Sequence, residues 1–230
     1  IIFVRLLVEP FAALTSDWQQ IIAIIAMASM IWGAFAALTQ RNIKRLMAYS
    51  SIANMGYALM GLAVGTQAGI RGLLIYMSVY ILMTVGTFAV ILILRRGDRP
   101  VDSIDDLAGL FGQKPGVAAA MTVMMFSLGG IPPLAGFWGK FLVFVAALEV
   151  GTPLMVIMAV VGALTSVVAI FYYLRIIKLM LFDEQSDELD AKTPMEWRLV
   201  AGFCAVAMIV MTIGFQVMLT WAEIAAAGVV

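Results

Sequence analysis

The chain has 230 residues, 63% of them hydrophobic and only 12% charged, with 14 basic and 14 acidic side chains that cancel to zero net charge. That composition excludes a soluble domain of this length and points to an integral membrane protein. One cysteine, Cys204, lies inside an apolar run and there is no histidine, so the chain lacks both the thiolate cluster of an iron–sulfur centre and an imidazole ligand for haem or zinc.

The opening stretch IIFVRLLVEP reads as the tail of a transmembrane helix ending near Glu9 and Pro10. It carries no methionine start, basic leader or small-residue cleavage site, and the expectation is the C-terminal part of a longer protein. Apolar runs follow at about 18–38, 46–65, 70–94, 117–148, 153–181 and 198–225. About 20 helical residues cover the roughly 30 Å hydrocarbon core, and every run but the fourth fits one crossing. The 117–148 run would be about 48 Å long as a straight helix, too long for one simple crossing and too short for two with a loop. A broken helix resolves the mismatch. The expected fold is all-α, a polytopic membrane helix bundle forming a single domain over 1–230.

Basic residues orient the spans, because Lys and Arg stay on the cytoplasmic side. Arg41, Lys44, Arg45, Arg95, Arg96, Arg99, Lys114, Arg175, Lys178, Lys192 and Arg198 fall on one side, against Arg5 and Arg71 on the other. The loops at 39–45, 95–116 and 183–198 are therefore expected in the cytoplasm and the C-terminus outside.

Within the fourth run, FSLGGIPPLAGFWGKFLVF places Gly129, Gly130, Pro132 and Pro133 where an α-helix cannot continue. The first half-helix is expected to end near Leu128, with Pro132 or Pro133 in the first turn of the next. Backbone groups freed at such a break are tolerated at membrane depth only inside protein or along a wet cavity, the arrangement transporters use to hold ions or substrates. Lys140 follows the break. An ammonium at mid-helix costs roughly 2.5–3.5 kcal/mol even on lenient insertion scales, which marks it as functional. Snorkelling is the plain alternative, but the polar end near Glu149 lies about 13.5 Å away along the helix, beyond a lysine stem. A structural ion pair inside the bundle is the other. A lysine amine carries a proton without metal or cofactor, and moving one proton against 100 mV takes about 2.3 kcal/mol, within reach of modest changes around such a group.

The stretches TQRNIKRLMAYSSIANMGYALMGL (39–62) and SLGGIPPLAGFWGKF (127–141) resemble the antiporter-like subunits of respiratory complex I, the proton-translocating NADH:quinone oxidoreductase. The resemblance extends to RLLVEPFAALTSDWQ at the start and RRGDRPVDSIDDLAGL in the loop. It implies the second of two inverted repeats, from the end of the eighth helix to the fourteenth, with a discontinuous twelfth helix whose GKF lysine maps onto Lys140 at the end of a hydrated proton path. It also implies that FMN, iron–sulfur clusters, NADH and quinone belong to partner subunits, with no cofactor on this chain. The implied partners are sister antiporter-like subunits, small helical subunits and the lipid bilayer, in a bacterial inner membrane. The first-repeat lysines and glutamate of the family have no counterpart here.

Some members of that family carry a histidine in the SSIxxxGY stretch, where this chain has Asn54. A relay would then run through water and side chains such as Ser50, Ser51, Asn54, Tyr57, Thr84 and Thr87, which equally serve as packing and interhelical hydrogen bonds. Lys44 and Arg45 are either positive-inside anchors or, by the resemblance, serve an entry or interhelix role. In DSIDDLAG, Asp102 or Ser103 can cap a short helix, while the favoured use of the Asp102, Asp105 and Asp106 cluster is a surface loop contacting a sister subunit. Glu149 is either an external proton acceptor or a plain interfacial residue. Phosphate-binding glycine loops are absent, and basic loops this short and this close to lipid do not indicate nucleic acid. The function expected is proton translocation coupled to NADH oxidation and quinone reduction in other subunits. The alternatives are a subunit of a cation/proton antiporter or membrane-bound hydrogenase, and a purely structural subunit.

Overall fold

The computed structural model describes residues 2–8, 10–11, 14–97, 99–184, 189–190 and 194–228. Helix α1 (Ile2–Val8) leads into α2 (Thr15–Leu38), α3 (Ile43–Val64) and α4 (Gln67–Ile93). A connection follows, made of β1 (Arg95–Arg96), β2 (Arg99–Pro100), a 3₁₀ turn (Asp105–Leu107) and α5 (Leu110–Gln113). The remaining helices are α6 (Pro115–Gly129), α7 (Ala135–Val150), α8 (Pro153–Phe182), α9 (Met195–Ile213) and α10 (Phe215–Ala227).

Local chemistry cuts the apolar sequence into these lengths. Asn42, Thr66 and Thr152 each accept a backbone N–H in the first turn of α3, α4 and α8, and Pro153 takes the first helical position of α8. Gly65 and Gly151 end α3 and α7 with φ of 66° and 68°, a left-handed conformation that glycine adopts without penalty.

Helices α2, α4, α8 and α9 are long and apolar enough to cross a membrane. They turn large apolar side chains outward, among them Ile24, Trp32, Phe35, Leu164, Val167, Phe171 and Phe203. Helix α3 is less apolar, and its position explains why. It is packed among α2, α4, α7 and α8, and it buries Ser50 and Asn54 with its apolar side chains. Polar groups in a bundle of this kind belong inside, where partners can reach them. The α2–α3 contact relies on small residues: a Cβ at Gly33 would lie 2.5 Å from the Ala53 nitrogen, and one at Gly56 would lie 2.8 Å from the Ala26 carbonyl.

The charged clusters gather at the two ends of the bundle. At one end, Lys44 pairs with Asp102 at 2.6 Å, Arg96 with Asp106 at 3.2 Å, Arg175 with Asp105 at 3.8 Å and Lys178 with Asp183 at 3.4 Å. The connection folds back over the α2–α3 turn there, with Ile43 donating to the Asp102 carbonyl at 2.8 Å and Ile104 to the Arg41 carbonyl at 2.9 Å. Neither Asp102 nor Ser103 takes the cap position of the 3₁₀ turn, which is Ile104, although Ser103 Oγ accepts the Asp105 N–H at 3.3 Å. At the other end Arg71 pairs with Glu223 at 2.6 Å. Exposed ion pairs contribute about 0–1 kcal/mol each, so they place the connection rather than hold the bundle together.

Two expectations are corrected. Neither proline lies in the first turn of α7, which starts after Leu134. A proline disfavours α-helical geometry in the residue before it, so the Ile131-Pro132-Pro133 sequence delays the new helix. The 198–225 run is not one continuous helix but α9 and α10, interrupted at Gly214. A helix-weakening glycine after the β-branched pair Thr212 and Ile213 accounts for that interruption.

Gly33→Ala should destabilise the α2–α3 pair by about 1–3 kcal/mol through overpacking. Gly116→Ala, whose added Cβ meets nothing within 4 Å, should change stability little. Thermal unfolding of the detergent-solubilised assembly separates the two; equal melting temperatures would contradict the close packing.

Candidate functional site

The site is built on the break between α6 and α7. Gly130 has φ 74° and donates its N–H to the Phe126 and Ser127 carbonyls, while the Ile131 N–H returns to Phe126 at 3.1 Å. This left-handed closure satisfies the carbonyls of those two residues and leaves the Leu128 carbonyl to accept from another partner. Helical side chains lean back toward the N-terminus, and Lys140, in the second turn of α7, reaches back across the break. Its Nζ donates to the Leu128 carbonyl at 2.9 Å and lies 4.7 Å from the centre of the Tyr57 ring.

Lys140 is 4% exposed, which rules out snorkelling. No carboxylate of the described residues pairs with it, so a carboxylate ion pair does not hold it there. Its charge faces the C-terminal, negative end of the α6 dipole and the electron-rich face of an aromatic ring. Gly130 contributes twice, since a Cβ there would also lie 3.0 Å from Lys140 Cδ. Ser127 joins the two half-helices: its Oγ accepts the Gly136 N–H at 3.1 Å, and any side chain at Gly136 would overlap the Ser127 carbonyl.

A polar cluster continues from Tyr57 into the bundle. The Tyr57 hydroxyl shares a hydrogen bond with Thr165 Oγ1 at 3.2 Å. Its ring meets Tyr76 edge-on at 6.5 Å between centroids. The Tyr76 hydroxyl donates to Asn54 Oδ1 at 2.8 Å, and Asn54 Nδ2 donates to the Ser50 carbonyl at 2.9 Å and the Ser50 hydroxyl at 3.2 Å. The Ser50 and Tyr173 hydroxyls are hydrogen-bonded to each other. Four helices, α3, α4, α7 and α8, thus bring Lys140, Tyr57, Thr165, Tyr76, Asn54, Ser50 and Tyr173 into one buried assembly.

Of the residues expected from sequence, Gly129, Gly130, Pro132, Pro133, Lys140, Ser50, Asn54 and Tyr57 meet here. Five others do not. Ser51 and Thr87 bond back to Met47 and Met83 within their own helices at 2.9 and 2.8 Å. The Thr84 hydroxyl is buried in α4 without a hydrogen-bond partner among the described residues. Lys44 pairs with Asp102 at the basic end, and Glu149 is exposed near the end of α7. Tyr76, Tyr173, Thr165 and Ser127 join the site without having been singled out. A tyrosine in mid-span, whose hydroxyl needs a partner, was the available signal for the first two.

The family model described as "NADH:quinone oxidoreductase/Mrp antiporter, TM" matches residues 1–166. The chain is 57% identical over 190 residues to NADH-quinone oxidoreductase subunit N of Rhodospirillum rubrum, covering 83% of this chain and 38% of that protein. It is 47% identical over 225 residues to subunit N of Paramagnetospirillum magneticum, covering 98% and 46%. The chain therefore spans less than half the length of these relatives. A chain of the solved respiratory complex I from Thermus thermophilus with bound aureothin superposes with a TM-score of 0.76 at 32% identity, covering 86% of this chain and 44% of that one. A chain of the Mrp complex from Dietzia sp. superposes with a TM-score of 0.82 at 20% identity, over 93% and 48%, which shows a shared fold alone.

Asn54→Leu leaves the Tyr76 hydroxyl without its acceptor and removes the bonds that Asn54 Nδ2 donates to the Ser50 carbonyl, the Ser50 hydroxyl and, at 3.4 Å, the Tyr173 hydroxyl of α8. A loss of about 1–3 kcal/mol of stability is expected, read as a lower melting temperature. An unchanged value would mean that Asn54 does not tie α3 to α4 and α8.

Proposed function

The chain belongs to the NADH:quinone oxidoreductase/Mrp antiporter transmembrane family, and from that membership we propose that it moves protons as a membrane-arm subunit of NADH:quinone oxidoreductase, with Lys140 as the group that takes up and releases the proton. The observation that carries this reading is a buried lysine amine beside a helix break, held by a backbone carbonyl and a ring face and, among the described residues, by no carboxylate. Such a charge has no use in packing and is costly to keep. FMN, iron–sulfur clusters, NADH and quinone are assigned to partner subunits, and sister antiporter-like subunits and small helical subunits flank this one. The basic end faces the cytoplasm of a bacterial inner membrane, which places the C-terminus outside.

The geometry supports a simple cycle. The Leu128 carbonyl is an acceptor only, so it binds the ammonium and cannot take its proton. Release must therefore go to water or to a hydroxyl that reaches Nζ when the α6–α7 break moves. The two contacts to the amine come from different elements, the end of α6 and α3. Moving a proton against 100 mV requires about 2.3 kcal/mol, and a cation–ring contact alone is worth about 0.5–2 kcal/mol. Small displacements at the break are thus of the right size to drive uptake and release. The Asn54, Ser50 and Tyr173 chain offers donors and acceptors on one flank of the site and, in this reading, orders the path rather than storing the proton.

In the intact complex, Lys140→Met should cut proton translocation at least about tenfold while leaving the complex assembled. Proton uptake by inverted vesicles during NADH oxidation checks this, and wild-type pumping would remove Lys140 from the mechanism. Flavin and NADH oxidation copurifying with the chain separate this reading from a redox-free cation/proton antiporter.

A further inference from the structure

A cavity of about 610 Å³ opens between the N-terminal ends of α6 and α9, at the basic end of the bundle and away from Lys140. Lys114 and Arg198 face it, one just before α6 and the other in the first turn of α9. Both positions are unfavourable for cations, because a helix N-terminus already carries partial positive charge. Lys114 donates to the backbone carbonyl of Asp190, and the Asp190 carboxylate accepts the Gly97 N–H at 2.8 Å. Arg198 forms no ion pair among the described residues. Glu196 shares its turn but does not line the cavity. The pKa of Lys114 is lowered by burial first of all; Asp190 opposes that shift and Arg198 adds to it.

Below the two cations the wall becomes apolar, with Val117, Ala120 and Ala201. Gly116 and Gly202 leave the sides open, since a Cβ at either meets nothing within 4 Å. Trp197 is exposed beside Arg198, and amphipathic rings of this kind are enriched at membrane–water interfaces.

We propose that this cavity holds the headgroup of an anionic phospholipid from the leaflet at the basic end. Two cations at two helix N-termini call for an anion, and the volume lies in the range of small-molecule sites. The apolar floor between two membrane helices favours an anion that continues into an acyl chain. Basic pockets between transmembrane helices on the cytoplasmic side have this recognition chemistry. The proposal is independent of the role given to Lys140.

Native mass spectrometry of the intact assembly, released from membranes containing phosphatidylglycerol and phosphatidylethanolamine, tests it. The assembly with the natural chain should retain an anionic lipid through delipidation. The double variant Lys114→Gln, Arg198→Gln should lose about tenfold in that retention. Gly202→Phe, which fills the opening without altering charge, should lose it as well and keeps the test decisive if the charge variant fails to assemble. Equal retention in all three would overturn the proposal. So would displacement of the bound species by inorganic phosphate, which would make this a free-anion site, or a Gly116→Cys thiol that cross-links to protein instead of being shielded by lipid.

Discussion

The hydrogen bond from Lys140 to the Leu128 carbonyl is the constraint around which the rest of the bundle is arranged. It exists because α6 stops at Gly129, and α6 stops because Gly130 turns left-handed and two prolines prevent an immediate restart. Had the helix continued, that carbonyl would have accepted a backbone N–H and Lys140 would have met an apolar wall. The break therefore supplies both a polar acceptor and a dipole end of the right sign, in a place where no carboxylate of the described residues pairs with the amine.

Holding that arrangement in a membrane takes an inner and an outer set of helices. Helices α2, α8 and α9 face outward with apolar side chains, and α3 gives up apolarity to carry Ser50, Asn54 and Tyr57 inward. Close approach at Gly33 and Gly56 brings α2 against α3, and the hydrogen bonds of Asn54 link α3 to α4 and α8. The Tyr57–Thr165 bond holds the ring beside the lysine, and the Asn54 bonds give the hydroxyls of Ser50, Tyr76 and Tyr173 partners, so packing and site are one structure. The ion pairs of the basic end lie outside this core and dock the 95–116 connection on it.

Much of this was legible in the chain itself. A lysine near a double glycine and a double proline in an apolar run has few physical explanations, and Ser50, Asn54 and Tyr57 recur at helical spacing on one face. Tyr76 and Tyr173 signalled only that a mid-span hydroxyl needs a partner and Thr165 signalled nothing, because the partners that give all three their place lie on other helices more than 20 positions away. Ser51 and Thr87 carry the same functional groups as Ser50 but bond to their own helices, a distinction set by which face each helix turns inward. The interruption at Gly214 was hidden by strong hydropathy on both sides, which makes 198–225 look like one span. The cavity beside Lys114 and Arg198 was hidden for a different reason: each reads as an ordinary loop cation until the two helix ends are seen together.

The central claim is that the amine of Lys140 changes its protonation as the assembled complex turns over. Infrared difference spectroscopy of the complex, isotopically labelled at lysine and compared between resting and NADH-energised states, addresses that amine directly. The account predicts an ammonium band that changes on energisation and is missing from the difference spectrum of a Lys140→Met complex. A lysine difference spectrum that is the same with and without Lys140 would contradict it.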